Sequence, residues 1–284
     1  MSLNSSVINT LKYSDHFGFP LTHDEIYKRL ISPKPTSFES VQKALTYLIS
    51  SKRIFKQGEY YYLQGRKNLI TNRNKNKSIS KQLLSRATSL AYQLGSVPFV
   101  KAVYLTGSLA MQNSGADGDI DFMIITKEGK LWTTRLILTI YTTLLGLRRT
   151  PNSHQNSGKL CLNLYMTPTS YFLPKAKQNL YTAYELIQAV PLFDPSNTRP
   201  TLLGANPWIQ NNLANFVVLP QKPVLKADNN TSLVGGIITR TFEFLAYHLQ
   251  LLYMHHKLTR EYITKDSAFF HPHNPADIVL AKLR

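Results

Sequence analysis

Three short apolar runs stand out from a polar, basic background. Residues 99–105 (Phe-Val-Lys-Ala-Val-Tyr-Leu), 119–126 (Asp-Ile-Asp-Phe-Met-Ile-Ile-Thr) and 160–166 (Leu-Cys-Leu-Asn-Leu-Tyr-Met) have the length and the β-branched and aromatic content of strands. Between and around them, apolar positions recur every three or four residues. This spacing predicts helices near Leu83–Leu94, Leu131–Leu147, Leu180–Ala189 and Ile237–Leu258. Strands separated by helices predict one mixed sheet with flanking helices, an α+β fold. Alternation along the third run puts Leu160, Leu162 and Leu164 on one face and Cys161, Asn163 and Tyr165 on the other.

Residues 4–64 have a different texture. Thr22 with Glu25 and Thr36 with Glu39 read as capping boxes, each opening a helix. The second helix, Ser37–Ser51, carries Phe38, Val41, Leu45 and Leu48 on one side. Residues 54–56 and 60–63 read as a hairpin around Gly58. This order of helices and hairpin resembles a winged helix-turn-helix module. The resemblance implies that Ser37–Ser51 enters a major groove, although such modules also act as protein–protein spacers. Arg66, Lys67, Arg73, Lys75 and Lys77 follow in a basic connector, read as a solvated segment or a track for a phosphate backbone, with the next helix capped by Ser78 or Ser80. Three regions are expected: 1–66, winged-helix-like; 67–200, the mixed-sheet core; and 201–284, a helical C-terminal region. Residues 191–200 read as a turn-rich connector and 219–232 as a linker. The last long helix is expected to pack through Phe242, Leu245, Leu249, Leu252 and Tyr253.

Charge changes the picture. The 284-residue chain carries a formal +17, and its first hundred residues hold 15 Lys and Arg against 5 Asp and Glu. Such an excess favours a polyanionic partner, with nucleic acid the usual one, through the basic N-terminal third. The single cysteine, Cys161, cannot form a disulfide within the chain and fits a reducing compartment. The first residues lack the features of a signal peptide, and the longest apolar stretches are too short or too polar to span a bilayer. A cytoplasmic location without a membrane partner is expected. His255, His256, His271 and His273 match no zinc-ligand spacing.

The candidate chemistry lies between the first two strands. Gly107 and Ser108 end the first, and Asp119 and Asp121 begin the second. Residues two apart on a strand share a face, so the two carboxylates stand side by side and repel. A divalent cation between them resolves the repulsion, and oxygen ligation suits Mg²⁺. Gly107 allows close backbone approach, and Ser108 offers a hydroxyl and an N–H to a phosphate. Gly107, Ser108, Asp119 and Asp121 in this order resemble the signature of the DNA polymerase beta superfamily of nucleotidyltransferases, over roughly residues 80–190.

The resemblance implies Mg²⁺ or Mn²⁺ on Asp119 and Asp121, an NTP held by Gly107 and Ser108, and pyrophosphate charge met by Arg135, Arg148, Arg149 or Lys159. The acceptor (RNA, protein or a small molecule) is unspecified. The sequence departs from the family where a third carboxylate is expected: the best-placed residue is Asn163, which ligates through its amide oxygen but cannot act as a base. Asp117 and Glu185 are substitutes. Two readings stay open: transfer with two carboxylates and substrate-assisted deprotonation, or nucleotide binding without efficient transfer. The alternative function is a nucleotide-sensing, DNA-binding regulator.

Overall fold

The computed structural model describes residues 1–149, 157–216, 233–257, 261–270 and 275–281. The chain opens with α1 (Leu3–His16), β1 (Leu21–Thr22), α2 (His23–Lys28), α3 (Phe38–Ser50), β2 (Phe55–Gln57) and β3 (Tyr60–Tyr62). The strands form an antiparallel sheet in the order β1-β3-β2. Val7, Leu11, Leu21, Ile26, Leu30, Val41, Leu45, Leu48 and Ile54 close a core beneath it. The expected Thr22–Glu25 capping box is formed in full. At α3 the cap falls one residue later than expected. Ser37 accepts from the Ser40 amide, while the Thr36 amide is drawn away to Asn215 Oδ1 at 2.7 Å.

The basic connector is not a loop. Residues 68–95 form one 28-residue helix, α4 (Asn68–Gly95), with no proline and no interior glycine to break it. Its first turns bury Leu69, Ile70 and Arg73 against the N-terminal unit. The Arg73 guanidinium donates to Pro20 O at 2.8 Å, pairs with Glu25 at 2.7 Å and lies 3.7 Å from the Phe19 ring centre. Arg66 pairs with Asp15. Of the five cations read as solvated or phosphate-tracking, Arg73 therefore fastens this unit to the helix and Arg66 ties the turn before the helix to α1. The far end of α4 turns Ala87, Leu90, Ala91 and Leu94 onto the main sheet.

That sheet contains all three predicted strands: β4 (Val100–Leu105), followed by the short α5 (Gly107–Ala110), then β5 (Ile120–Thr126), α6 (Leu131–Leu144) and β6 (Leu160–Met166). β4 and β5 are antiparallel, β5 and β6 parallel. The chain continues through α7 (Leu180–Gln188), β7 (Val190–Phe193), α8 (Arg199–Gly204), α9 (Leu233–Met254), β8 (Tyr262–Ile263), β9 (Ser267–Phe269) and α10 (Pro275–Ala281). The sheet order is β7-β4-β5-β6-β9-β8. Part of the expected turn-rich connector is thus an edge strand, and the C-terminal region is not wholly helical but adds two strands. These pieces are two to four residues long, too short for periodicity to reveal. The expected 219–232 linker lies outside the described residues.

Helices α4, α6 and α9 cover one face of the sheet. Helices α7, α8 and α10 cover the other, where Tyr13 and Ile31 of the N-terminal unit join the same core. Tyr13 stacks on Tyr184 with ring centres 4.0 Å apart, and the Tyr184 hydroxyl donates to Arg29 O at 2.6 Å. Ser32 exchanges main-chain bonds with Asn212 and Ala214. The N-terminal unit is therefore keyed into the core rather than strung from it. No described helix is long and apolar enough to cross a membrane.

Two faces differ from expectation. In β6 the register slips opposite Phe122 and Met123: Leu162 pairs with Phe122 and Leu164 with Met123, leaving Asn163 as the extra residue of a bulge. Beyond it the sides exchange. Leu164 and Met166 enter the α7 core, while Tyr165 joins Leu160 and Leu162 on the α4 side. In α9 the residues facing α6 are Glu243, Ala246, Gln250 and Met254. Helix α6 has no capping side chain of its own, and Glu243 accepts from its Trp132 and Thr133 amides at 2.7 and 2.8 Å. Gln250 donates to Trp132 O at 2.8 Å. These polar anchors set the rotation of the helix, so Phe242, Leu245, Leu249, Leu252 and Tyr253 lie exposed.

Candidate active site

The turn after β4 is built around Asp121. The Thr106 amide donates to Asp121 O at 2.9 Å, which carries the β4–β5 ladder to the end of the strand. Gly107 follows with φ +65°, the left-handed region that favours glycine. A Cβ there would lie 2.3 Å from Asp121 Oδ2. The close approach anticipated for Gly107 is therefore made to a carboxylate of the same chain. Ser108 is exposed beside it. Asp119 precedes β5 and Asp121 is its second residue, so both sit at the mouth of the strand.

The carboxylates meet different surroundings. Asp119 pairs with Arg149 Nη1 at 2.7 Å. Asp121 accepts from Asn163 Nδ2 at 3.0 Å, and the bulge presents that amide. Parallel pairing sets Cys161 directly against Asp121. Burial, reinforced by the Asp119 charge and only partly opposed by a hydrogen bond with Cys161, pushes the Asp121 carboxyl up to about 7. Burial and the neighbouring carboxylates push the Cys161 thiol up to about 12. Asn163 is 9% exposed, and its Oδ1 is buried without a hydrogen-bond partner. Oxygen atoms of Asp119 and Asp121 and the sulfur of Cys161 lie within 4.8 Å of one another.

A cavity of about 250 Å³ opens beside this cluster. Gly107, Ser108 and Met111 form one wall; Tyr13 and Ser14 of α1, with Phe17 just after it, form another; Tyr181, Glu185 and Gln188 of α7 complete it. Glu185 accepts from Tyr181 Oη at 3.2 Å, and its charge is close enough to raise the Asp121 carboxyl further. Of the two substitutes for a third carboxylate, Glu185 is the one brought to the cavity. Asp117 is exposed in the preceding loop.

The other sequence-predicted residues divide. Arg149 reaches the carboxylates, but Arg135 does not. It is buried between α6 and α9, donating to Gln250 Oε1 at 2.5 Å and lying 4.3 Å from the Phe270 ring centre. It is a packing residue on the opposite face. Lys159 donates through Nζ to Gly146 O, just after α6. Arg148 pairs through its main chain with Leu160. His255 and His256 form a short turn after α9, and His271 and His273 lie outside the described residues.

No family model, curated protein or solved structure matches this chain. The chemistry of the cluster therefore rests on its own donors. Two carboxylates and a thiol converge beside the Asn163 amide, whose Nδ2 faces Asp121, with no lysine in contact with them among the described hydrogen bonds. This donor set fits a divalent cation between Asp119 and Asp121.

Proposed function

We propose that the chain is a cation-dependent nucleotidyltransferase that moves a nucleoside monophosphate from an NTP to an acceptor hydroxyl. The observation that carries this reading is the meeting of three features. The Asp119–Asp121 pair, the Gly107–Ser108 turn and the 250 Å³ cavity meet at one end of the neighbouring strands β4 and β5. Asp119 and Asp121 hold the cation, and two carboxylates alone favour Mg²⁺ or Mn²⁺. When bound, it supplies charge for the phosphates and leaving pyrophosphate. Arg149 balances Asp119 in its absence and is positioned to meet phosphate charge once that carboxylate is engaged. Gly107 and Ser108 border the phosphates. The acceptor oxygen bonds to the α-phosphorus as the bond to pyrophosphate breaks, and the acceptor loses its proton. Asn163 cannot take that proton, so we assign it to Glu185 on the cavity wall.

The order α1-β1-α2-α3-β2-β3 and its three-stranded sheet support the winged-helix reading of the N-terminal unit. Lys43, Lys52, Arg53 and Lys56 are exposed along α3 and the hairpin. They favour the second reading, a DNA-binding regulator that senses nucleotide. Such binding would be steeply salt-dependent, with log K falling by about 0.9 per phosphate contact against log salt on duplex DNA. The deciding experiment is label transfer from each α-labelled NTP to whole-cell RNA or protein. Covalent label that disappears in Asp119→Ala/Asp121→Ala supports transfer. Metal-dependent nucleotide binding without label in any acceptor supports the regulator.

A further inference from the structure

We infer that Cys161 supplies a sulfur ligand to the cation held by Asp119 and Asp121, so that the site prefers a borderline ion of the zinc and cobalt class over Mg²⁺. The inference rests on the reading of Asp119 and Asp121 as cation ligands, and not on the transfer reaction.

β5 and β6 run parallel with Asp121 opposite Cys161, so the thiol is locked beside the carboxylate by the sheet ladder rather than by a flexible loop. The sulfur and both carboxylates fall within 4.8 Å of one another, close enough for one ion to bridge all three. Zinc–sulfur bonds of about 2.3 Å and zinc–oxygen bonds of about 2.0–2.2 Å fit inside that spread. An independent observation points the same way. Asn163 is more than nine-tenths buried and donates Nδ2 to Asp121 Oδ1, while its other amide atom, Oδ1, is buried without a hydrogen-bond partner. A buried acceptor without a donor is destabilising. A half-turn of the amide would present that oxygen, in place of Nδ2, to an ion at Asp121. Carboxylate oxygens alone would suit Mg²⁺, but a sulfur donor is a poor ligand for so hard an ion and a good one for zinc or cobalt. On coordination the thiol gives its proton to solvent.

The test uses the full chain and Co²⁺ as probe, with no nucleotide. Cys161 is the only cysteine, so a sulfur-to-cobalt charge-transfer band in the near ultraviolet can come from no other residue. The wild-type protein should give that band, saturating at one equivalent. Zn²⁺ should abolish it, and equimolar Mg²⁺ should leave it intact. Cys161→Ser should lose the band and bind Zn²⁺ roughly tenfold or more weakly, with little change toward Mg²⁺. Asp119→Ala/Asp121→Ala should lose the band as well. Should Cys161→Ser fail to fold, the wild-type band and the Zn²⁺/Mg²⁺ competition decide alone. Co²⁺ bound without the band but lost in the double aspartate variant overturns the sulfur ligand and leaves the carboxylate site standing. A band that persists in the double variant, or that Mg²⁺ displaces as readily as Zn²⁺, overturns the inference. Absence of any bound cation overturns it together with the cation reading.

Discussion

Asp121 should make the metal-free protein less stable as pH rises through the weakly acidic range. Its carboxyl moves from an ordinary 3.8 to about 7 in the folded chain, because burial and the Asp119 charge disfavour ionisation. The folded state therefore binds this proton more tightly than the unfolded state. Stability from the protonated group is fully present below about pH 4 and is lost as pH rises toward 7, beyond which it stays flat. At about 1.4 kcal/mol per tenfold change in proton affinity, the ceiling on this loss is about 4 kcal/mol. Asp121→Asn keeps the shape and the acceptor oxygen for Asn163 but cannot ionise. The assay is urea denaturation of chelator-treated protein from pH 4 to 8, comparing the wild type with this variant so that other titrating groups cancel. The difference should be small at pH 4 and grow toward the variant's favour by up to about 4 kcal/mol at pH 8. Zn²⁺ or Mn²⁺ should close the gap by stabilising the wild type alone. Parallel stability curves across the range would refute the account of Asp121.

Three further outcomes follow from particular contacts. Gly107→Ala combines a φ of +65° with a Cβ placed 2.3 Å from Asp121 Oδ2; it should cost about 1–3 kcal/mol and weaken cation binding, both measurable by denaturation and calorimetry. Arg73→Met leaves Glu25 without its partner in a pair whose side chains are 9% and 19% exposed; a loss of about 3–5 kcal/mol and faster proteolysis before α4 are expected. Asn163→Asp adds a charge against Asp121 and should raise divalent-cation affinity in calorimetry. Unchanged affinity there would show that position 163 does not face the ion.

Much of this architecture was legible in the chain. Each of the three apolar runs is long enough to carry a strand, and the Asp-Ile-Asp alternation places both acids together because strand periodicity is local. The Thr22–Glu25 box is equally local. What escaped depends on contacts far apart in sequence. The first half of α4 looks like a solvated connector because its burial comes from Arg73 docking on Phe19 and Glu25. The bulge at Asn163 arises in pairing with β5, so strict alternation misplaces Leu164 and Tyr165. Arg135 reads as a phosphate ligand until Gln250 of α9 claims it. Cys161 sits in an apolar run and gives no local sign of chemistry; only the parallel register brings it to Asp121. Helix α9 is oriented by Glu243 and Gln250, two polar residues that an amphipathic count assigns to solvent.

The measurement that bears most directly on the central claim is calorimetric binding of an NTP with and without divalent cation, in the wild type and in Asp119→Ala/Asp121→Ala. Binding should depend on the cation in the wild type, and that dependence should be lost in the double variant at undiminished thermal stability. NTP binding that is unchanged in the double variant, or that ignores the cation in the wild type, would contradict it.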